Sequence, residues 1–304
     1  MGKKAFIFPG QGSQYVSMAA DLYENSVEAK EMIKTADDAL GINLSYILFN
    51  GPEEQLKQSE FTQPAIFLHS VVLASLIRTL TPDAVAGHSV GEYSAFVASG
   101  AFQFYDAIKL VRERGIAMQK AGVEKPGTMA AIIGLDEEQV IQCCNEASSE
   151  GVVQCANFNS PGQIVISGEV DAVKKAMEIC KSKGAKLTKE LQVSGAFHSP
   201  LMGSAKEKLK TALDKIPVYD MRIPVYANVT AKPVVSKDEI KNLLYEQLSA
   251  PVKWLQIINN MINDGVNEFY EIGPGKVLQG LVKRINSDVT IFGIDKYSEV
   301  EKYI

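Results

Sequence analysis

The sequence predicts an α/β protein built on a largely parallel sheet, with a small second unit inserted into the first. Two rhythms along the 304 residues carry that expectation. Through most of the chain, short apolar runs alternate with stretches of helical periodicity, as in a sheet with helices packed against it. Between residues 126 and 193 the order changes to strand, helix, strand and then strand, helix, strand.

In chain order, strands are expected at 5–8, 84–86, 224–227, 268–271 and 291–294. Amphipathic helices are expected at 27–40, 63–80, 105–120, 200–215 and 254–263. The inserted stretch reads as strand 128–133, helix 136–147, strands 152–157 and 163–167, helix 171–183 and strand 186–193. That β-α-β-β-α-β order is the ferredoxin-like split pattern. Gly127, Gly134, Pro161-Gly162, Gly168 and Gly184 fall where the turns are needed. The expected division is a discontinuous large domain, 1–125 with 194–304, and a small domain, 126–193.

Composition excludes several classes. Hydrophobic residues make up 46% and charged residues 22%, an ordinary balance for a globular protein. A net charge of -5 argues against a nucleic-acid binder, which normally carries a basic excess. No apolar run approaches the ~18 residues of a membrane helix. The run at 5–8 is too short for a signal peptide and reads as a first strand. No membrane association is expected, and the expected compartment is the cytoplasm. Cys143, Cys144, Cys155 and Cys180 show neither metal spacing nor a secreted disulfide pattern, so buried thiols and no metal are expected.

One motif carries chemistry. Gly87-His88-Ser89-Val90-Gly91 is a G-x-S-x-G sequence after the apolar Ala84-Val85-Ala86 and before the helical Glu92-Tyr93-Ser94-Ala95-Phe96. Strand, sharp turn and helix in that order form a nucleophile elbow, which pushes a serine hydroxyl out at the strand's end. A plain turn serine is the alternative, and the flanking elements disfavour it.

A serine needs a base, and the chain has three histidines. His88 adjoins Ser89, and neighbours on an extended chain point to opposite faces. His69 lies mid-helix among Ile66, Phe67, Leu68, Val71 and Val72, where a packed role is expected. His198 sits in the turn-rich loop Val193-Ser194-Gly195-Ala196-Phe197-His198-Ser199-Pro200, the kind of segment that holds catalytic groups. His198 is the candidate base.

Taken together, six segments resemble the malonyl-CoA:acyl carrier protein transacylase family. They are Phe8-Pro9-Gly10-Gln11-Gly12-Ser13-Gln14, the Ser89 motif, Arg114-Gly115 with Met118-Gln119, Asn157 to Gln163, the His198 loop, and Glu271-Ile272-Gly273-Pro274-Gly275-Lys276. The resemblance spans essentially the whole chain. It implies a hydrolase-like core with a ferredoxin-like insert, and an acyl-serine intermediate in transfer between malonyl-CoA and acyl carrier protein.

Carried over to this chain, the resemblance makes Ser89 the nucleophile, His198 its base and Arg114 the ligand of the malonyl carboxylate. It makes the N–H groups of Gln11 and Val90 the oxyanion hole. Gln247 would orient His198 through its carbonyl, giving a dyad and not a triad, with Asn157 and Phe197 in support. Each role suits its residue: guanidinium grips a carboxylate with two parallel bonds, and the residue after an elbow serine donates to an oxyanion. Arg112, two residues from Arg114 on the same helix, should face elsewhere. Phe197, just before the base, is bulky enough to crowd a branched acyl group.

Acyl carrier proteins are acidic in this family, so Lys186, Lys189, Lys283 and Arg284 are candidates for a basic docking rim. Neither cofactor nor metal is expected, and a monomer is implied. Three alternatives stay open: an acyltransferase serving a polyketide synthase, a serine thioesterase or esterase, and a non-catalytic acyl-binding protein.

Overall fold

The computed structural model describes residues 2–304. Its strands are β1 (Lys3–Phe8), β2 (Ala84–Gly87), β3 (Thr128–Ile133), β4 (Val153–Ser160), β5 (Gln163–Gly168), β6 (Leu187–Glu190), β7 (Val225–Tyr226), β8 (Val266–Ile272) and β9 (Thr290–Ile294). They form two sheets. The first has the order β7-β2-β1-β8-β9, with every neighbouring pair parallel.

Side chains alternate across a strand, so β1 feeds two cores. Phe6 and Phe8 face a large cluster that includes Ile66, Val72, Val85 and Phe96. Ala5 and Ile7 face a second cluster with Trp254, Ile257, Ile258 and Met261. The helix Ser59–Leu76 is buried on nearly every side, as expected of a helix apolar all round.

The second sheet is antiparallel, in the order β4-β5-β3-β6. Read from β6, the segment's own strands come fourth, first, third, second, the ferredoxin-like arrangement. The helices Glu137–Ala147 and Val170–Ser182 share its core with all four cysteines, which are buried and free. β4 is tied to the segment before the helix Trp254–Asn263: Val252 N–H donates to the Ala156 carbonyl at 2.8 Å, and Phe158 N–H donates to the Val252 carbonyl at 2.9 Å.

Several boundaries differ from the sequence expectation. The helix expected at 63–80 runs Ser59–Leu76, and the one expected at 105–120 runs Phe104–Glu124. The strand expected to reach 193 ends at Glu190. Beyond it the chain crosses the helix Phe104–Glu124 closely enough that a Cβ on Gly122 would lie 2.0 Å from the Ser194 carbonyl oxygen. The helices Lys237–Gln247 and Val277–Ile285 were not anticipated. The first is rich in charge, and the second is only nine residues long.

Candidate active site

The elbow is built by backbone contact. Ser89 takes a left-handed conformation, φ 53°, between the end of β2 and the helix Gly91–Ser99. Such a conformation is costly for a non-glycine residue and persists only where its surroundings impose it. Here they do. A Cβ on Gly91 would lie 2.2 Å from the Phe8 carbonyl oxygen, and one on Gly10 would lie 2.5 Å from the His88 carbonyl oxygen. The loop after β1 and the turn after β2 therefore interlock through bare backbone.

That contact brings Gln11 and Val90 to the wall of one cavity with Ser89. Neither backbone N–H donates to a protein acceptor among the described residues. The cavity has a volume of about 240 Å³, and Met118, Met129, Val165, Phe197 and Leu281 give it a largely apolar wall.

His198 reaches the same point from its loop and is also left-handed, φ 56°. Its Nε2 lies 2.9 Å from Ser89 Oγ, and its Nδ1 lies 2.8 Å from the Gln247 carbonyl oxygen. A carbonyl only accepts, so Nδ1 carries the proton and Nε2 presents its lone pair to the serine hydroxyl. Burial, reinforced by the positive charge of Arg114, pushes the imidazole down to about 3 and keeps it neutral. Gln154 Nε2 donates to the His198 carbonyl at 2.8 Å and to the Ser249 carbonyl at 3.0 Å, tying the loop down.

Arg114 is only 1% exposed. Its guanidinium stands over the Tyr93 ring and donates to Gln63 Oε1 at 2.6 Å, Gln247 Oε1 at 2.9 Å and Ser89 Oγ at 3.1 Å. No carboxylate among the described residues is in ion-pair contact with it, although a buried charge is normally paired. Arg112 faces elsewhere, over the Phe61 ring and toward Glu60.

Behind these groups lies a polar layer that the sequence did not disclose. Asn228 Oδ1 accepts from Ser89 N–H at 2.8 Å, and its Nδ2 donates to the Gly87 carbonyl at 2.7 Å. Glu92, 1% exposed, accepts from Asn228 N–H and from Gln247 Nε2. Burial pushes its carboxyl up to about 8, opposed by those two donors and by Arg114. An acid in the apolar start of an elbow helix was the available signal.

The other histidines separate cleanly. His69 is buried, with Nε2 2.8 Å from the Asp295 carbonyl oxygen, and does not line the cavity. His88 corrects an expectation: it does not turn to the opposite face but lines the cavity. The opposite-face rule holds for extended chain, and Ser89 is not extended. His88 Nε2 lies 2.9 Å from Asn159 Oδ1 and 3.4 Å from Asn157 Nδ2, and its ring packs on Trp254.

Of the four basic candidates, Arg284 donates to Gln163, a residue of the cavity wall. Lys186 and Lys189 are exposed on or beside β6. Lys283 donates to the Ser287 and Val289 carbonyls of its own loop. No group of three or more His, Cys, Asp or Glu able to hold a metal occurs among the described residues, and no helix is long and apolar enough to cross a membrane.

A hydroxyl beside a neutral imidazole, with two free N–H donors and a buried cation, is equipped for acyl transfer from an acid-bearing donor. The class that fold and site define is that of the acyltransferases: residues 5–294 match the acyl transferase domain family, and the chain belongs to it. Within that family it is similar to the malonyl CoA-acyl carrier protein transacylase of Bacillus subtilis (strain 168), at 45% identity covering 99% of this chain and 96% of the relative. Among solved structures it resembles the acyl-carrier-protein-S-malonyltransferase of Bartonella henselae, with 42% identity, a TM-score of 0.95 and coverage of 99% of this chain and 98% of that one. A malonyl-transacylase solved in complex with a type II PKS acyl-carrier protein gives 39% identity and a TM-score of 0.95, covering 99% and 98%.

Proposed function

We propose that this chain is a malonyltransferase moving malonyl from malonyl-CoA to the thiol of an acyl carrier protein through an ester on Ser89, in fatty acid biosynthesis. The observation that carries this is Arg114: a buried guanidinium 3.1 Å from Ser89 Oγ, held by amide oxygens and left without a carboxylate partner. A donor's free carboxylate supplies the missing charge.

In the first half-reaction Ser89 Oγ attacks the thioester carbonyl and its proton passes to His198 Nε2. The Gln11 and Val90 N–H groups hold the oxyanion. Collapse breaks the carbon–sulfur bond, and His198 returns the proton to the leaving CoA thiolate. The second half-reaction runs these steps in reverse order, with the carrier's thiol as nucleophile. No cofactor enters either half.

The cavity is lined from both sheets' territory, by Met129, Asn157 and Val165 on one side and by Gln11, Ser89 and Leu278 on the other. That supports a cleft between a large domain, 1–125 with 194–304, and a small one, 126–193. We take the enzyme to act as a monomer in the cytoplasm.

The test is release of CoA from malonyl-CoA with and without a holo acyl carrier protein. A malonyltransferase shows a stoichiometric burst alone and turnover only with the carrier. A thioesterase turns over without it, and an inert binder releases nothing. Supply of a polyketide carrier is a second setting, supported by the solved complex with a type II PKS carrier, and assay against both carrier types separates the two.

A further inference from the structure

We propose that Glu92 is a positioning residue for donor selection, which with the Ser89 carbonyl holds the side-chain amide of Gln247 so that its oxygen, and not its NH2, faces Arg114. The inference rests on the malonyl assignment above and assigns Glu92 no contact with substrate.

The hydrogen-bond arithmetic at Gln247 leads there. An amide side chain can present either end to a neighbour, and the two ends differ only in what they offer. Arg114 has donors only, so it requires the oxygen. Gln247 Oε1 does meet Arg114 Nη2, at 2.9 Å. The amide is also held from its other end, where Nε2 donates to the Ser89 carbonyl at 2.9 Å, a group that only accepts. The second acceptor on the same Nε2 is Glu92 Oε2. Its other oxygen accepts from Asn228 N–H at 3.1 Å. Both Glu92 oxygens thus accept, and each neighbour turns a donor toward it.

The placement has a second effect. Glu92 is buried in the first turn of its helix, where the helix dipole favours an acid, and is separated from Arg114 by the Gln247 amide. A carboxylate in direct contact with Arg114 would occupy the donors that a malonyl group needs. Set one residue back, Glu92 orders the Gln247 amide and leaves the Arg114 donors to the substrate.

Glu92→Gln has nearly the same shape but one oxygen for two donors. One neighbour must then face an NH2, and Gln247 is the one free to rotate. The experiment measures kcat/KM for malonyl-CoA and acetyl-CoA with a holo acyl carrier protein as acceptor, for wild type, Glu92→Gln, Gln247→Met and the double variant. The malonyl-to-acetyl ratio is expected to fall about 10- to 100-fold in Glu92→Gln, the size of a hydrogen bond to a charged group. Gln247→Met, which removes the relay, is expected to lower the ratio at least as far, and Glu92→Gln is expected to add little to it. That arm tests the relay even if Glu92→Gln fails to fold. An unchanged ratio in either single variant, or losses that multiply in the double, overturns the inference and leaves the malonyl assignment standing. Wild type unable to transfer malonyl overturns both.

Discussion

Arg114 Nη2 and His198 Nε2 approach Ser89 Oγ together, at 3.1 and 2.9 Å. One hydroxyl thus meets a permanent cation and a neutral base. On the function proposed above, the cation selects the acyl group and the base activates the hydroxyl.

Removing Arg114 should separate these two roles. Breaking a buried charge pair costs ~3–5 kcal/mol, so Arg114→Ala is expected to lower malonyl transfer by roughly 10²–10³-fold. Acetyl transfer, which has no carboxylate to hold, should fall far less, inverting the preference. Arg112→Ala should keep the wild-type preference. Equal losses for both donors would make Arg114 structural.

The covalent step is expected at Ser89 alone. Mass mapping after malonyl-CoA treatment should place the adduct there and find none in Ser89→Ala. Loss of the serine or of His198 should cost on the order of 10⁶ in turnover, as in other serine enzymes. His69→Ala should lower stability through the lost Asp295 contact while the folded fraction keeps its rate. An adduct on Ser13, Ser94 or Ser199 would refute the assignment.

The acid limb of the pH–rate profile should be displaced. His198 acts as a base only when neutral, and its pKa is lowered from 6.5 to about 3. The rate for an acetyl donor should therefore stay flat as pH falls through 6.5, and the limb should move up in Arg114→Ala, where one lowering cause is gone. Stability carries the same sign: the unfolded imidazole binds a proton below 6.5 and the buried one does not, so this contribution is lost as pH falls toward about 3. Glu92 and Glu271 oppose it. Raised from 4.5 to about 8 and about 7, they contribute fully below 4.5 and lose that contribution as pH rises through the raised values. Melting temperature against pH checks this, with His198→Ala losing less than wild type on acidification.

Carrier docking should respond to charge at Lys186, Lys189 and Arg284. Reversal at these positions should weaken transfer to the carrier, chiefly at low salt, and spare formation of acyl-Ser89 from CoA. Lys283, already engaged with its own loop carbonyls, should matter least. Equal effects on both half-reactions would remove the docking proposal.

Phe197, in the cavity wall, should crowd a methyl branch. One methylene is worth only ~1–3 kcal/mol in such a pocket, so malonyl should be preferred over methylmalonyl moderately, and less so in Phe197→Ala. Equal rates for the two donors in wild type would exclude Phe197 as the selector.

Some of this was legible from residues alone. Ser89 stands out because strand, turn and helix surround it, and His198 because only three histidines compete. Arg114 and Gln247 came through family resemblance, because an arginine in an amphipathic helix ordinarily reads as surface. Glu92, Asn228, Gln63 and Gln154 were not visible. Their contacts, such as Gln154 to His198 across 44 residues of chain and Glu92 to Gln247 across 155, exist only after the sheets and helices have packed. His88 was misplaced because its face depends on a turn whose handedness the sequence pattern does not reveal.

The interlock of Gly10 and Gly91 with their neighbours' carbonyls has a consequence for how such a site can diversify. At those two positions any side chain collides with main chain, so single substitutions there push apart the two turns that carry Gln11 and Val90 without offering a new pocket. Met118, Met129, Phe197 and Leu281 are under no such restriction, because they meet the cavity through side chains. Acyl preference can therefore drift by ordinary point mutation while the transfer chemistry stays fixed, and the two properties are separately heritable.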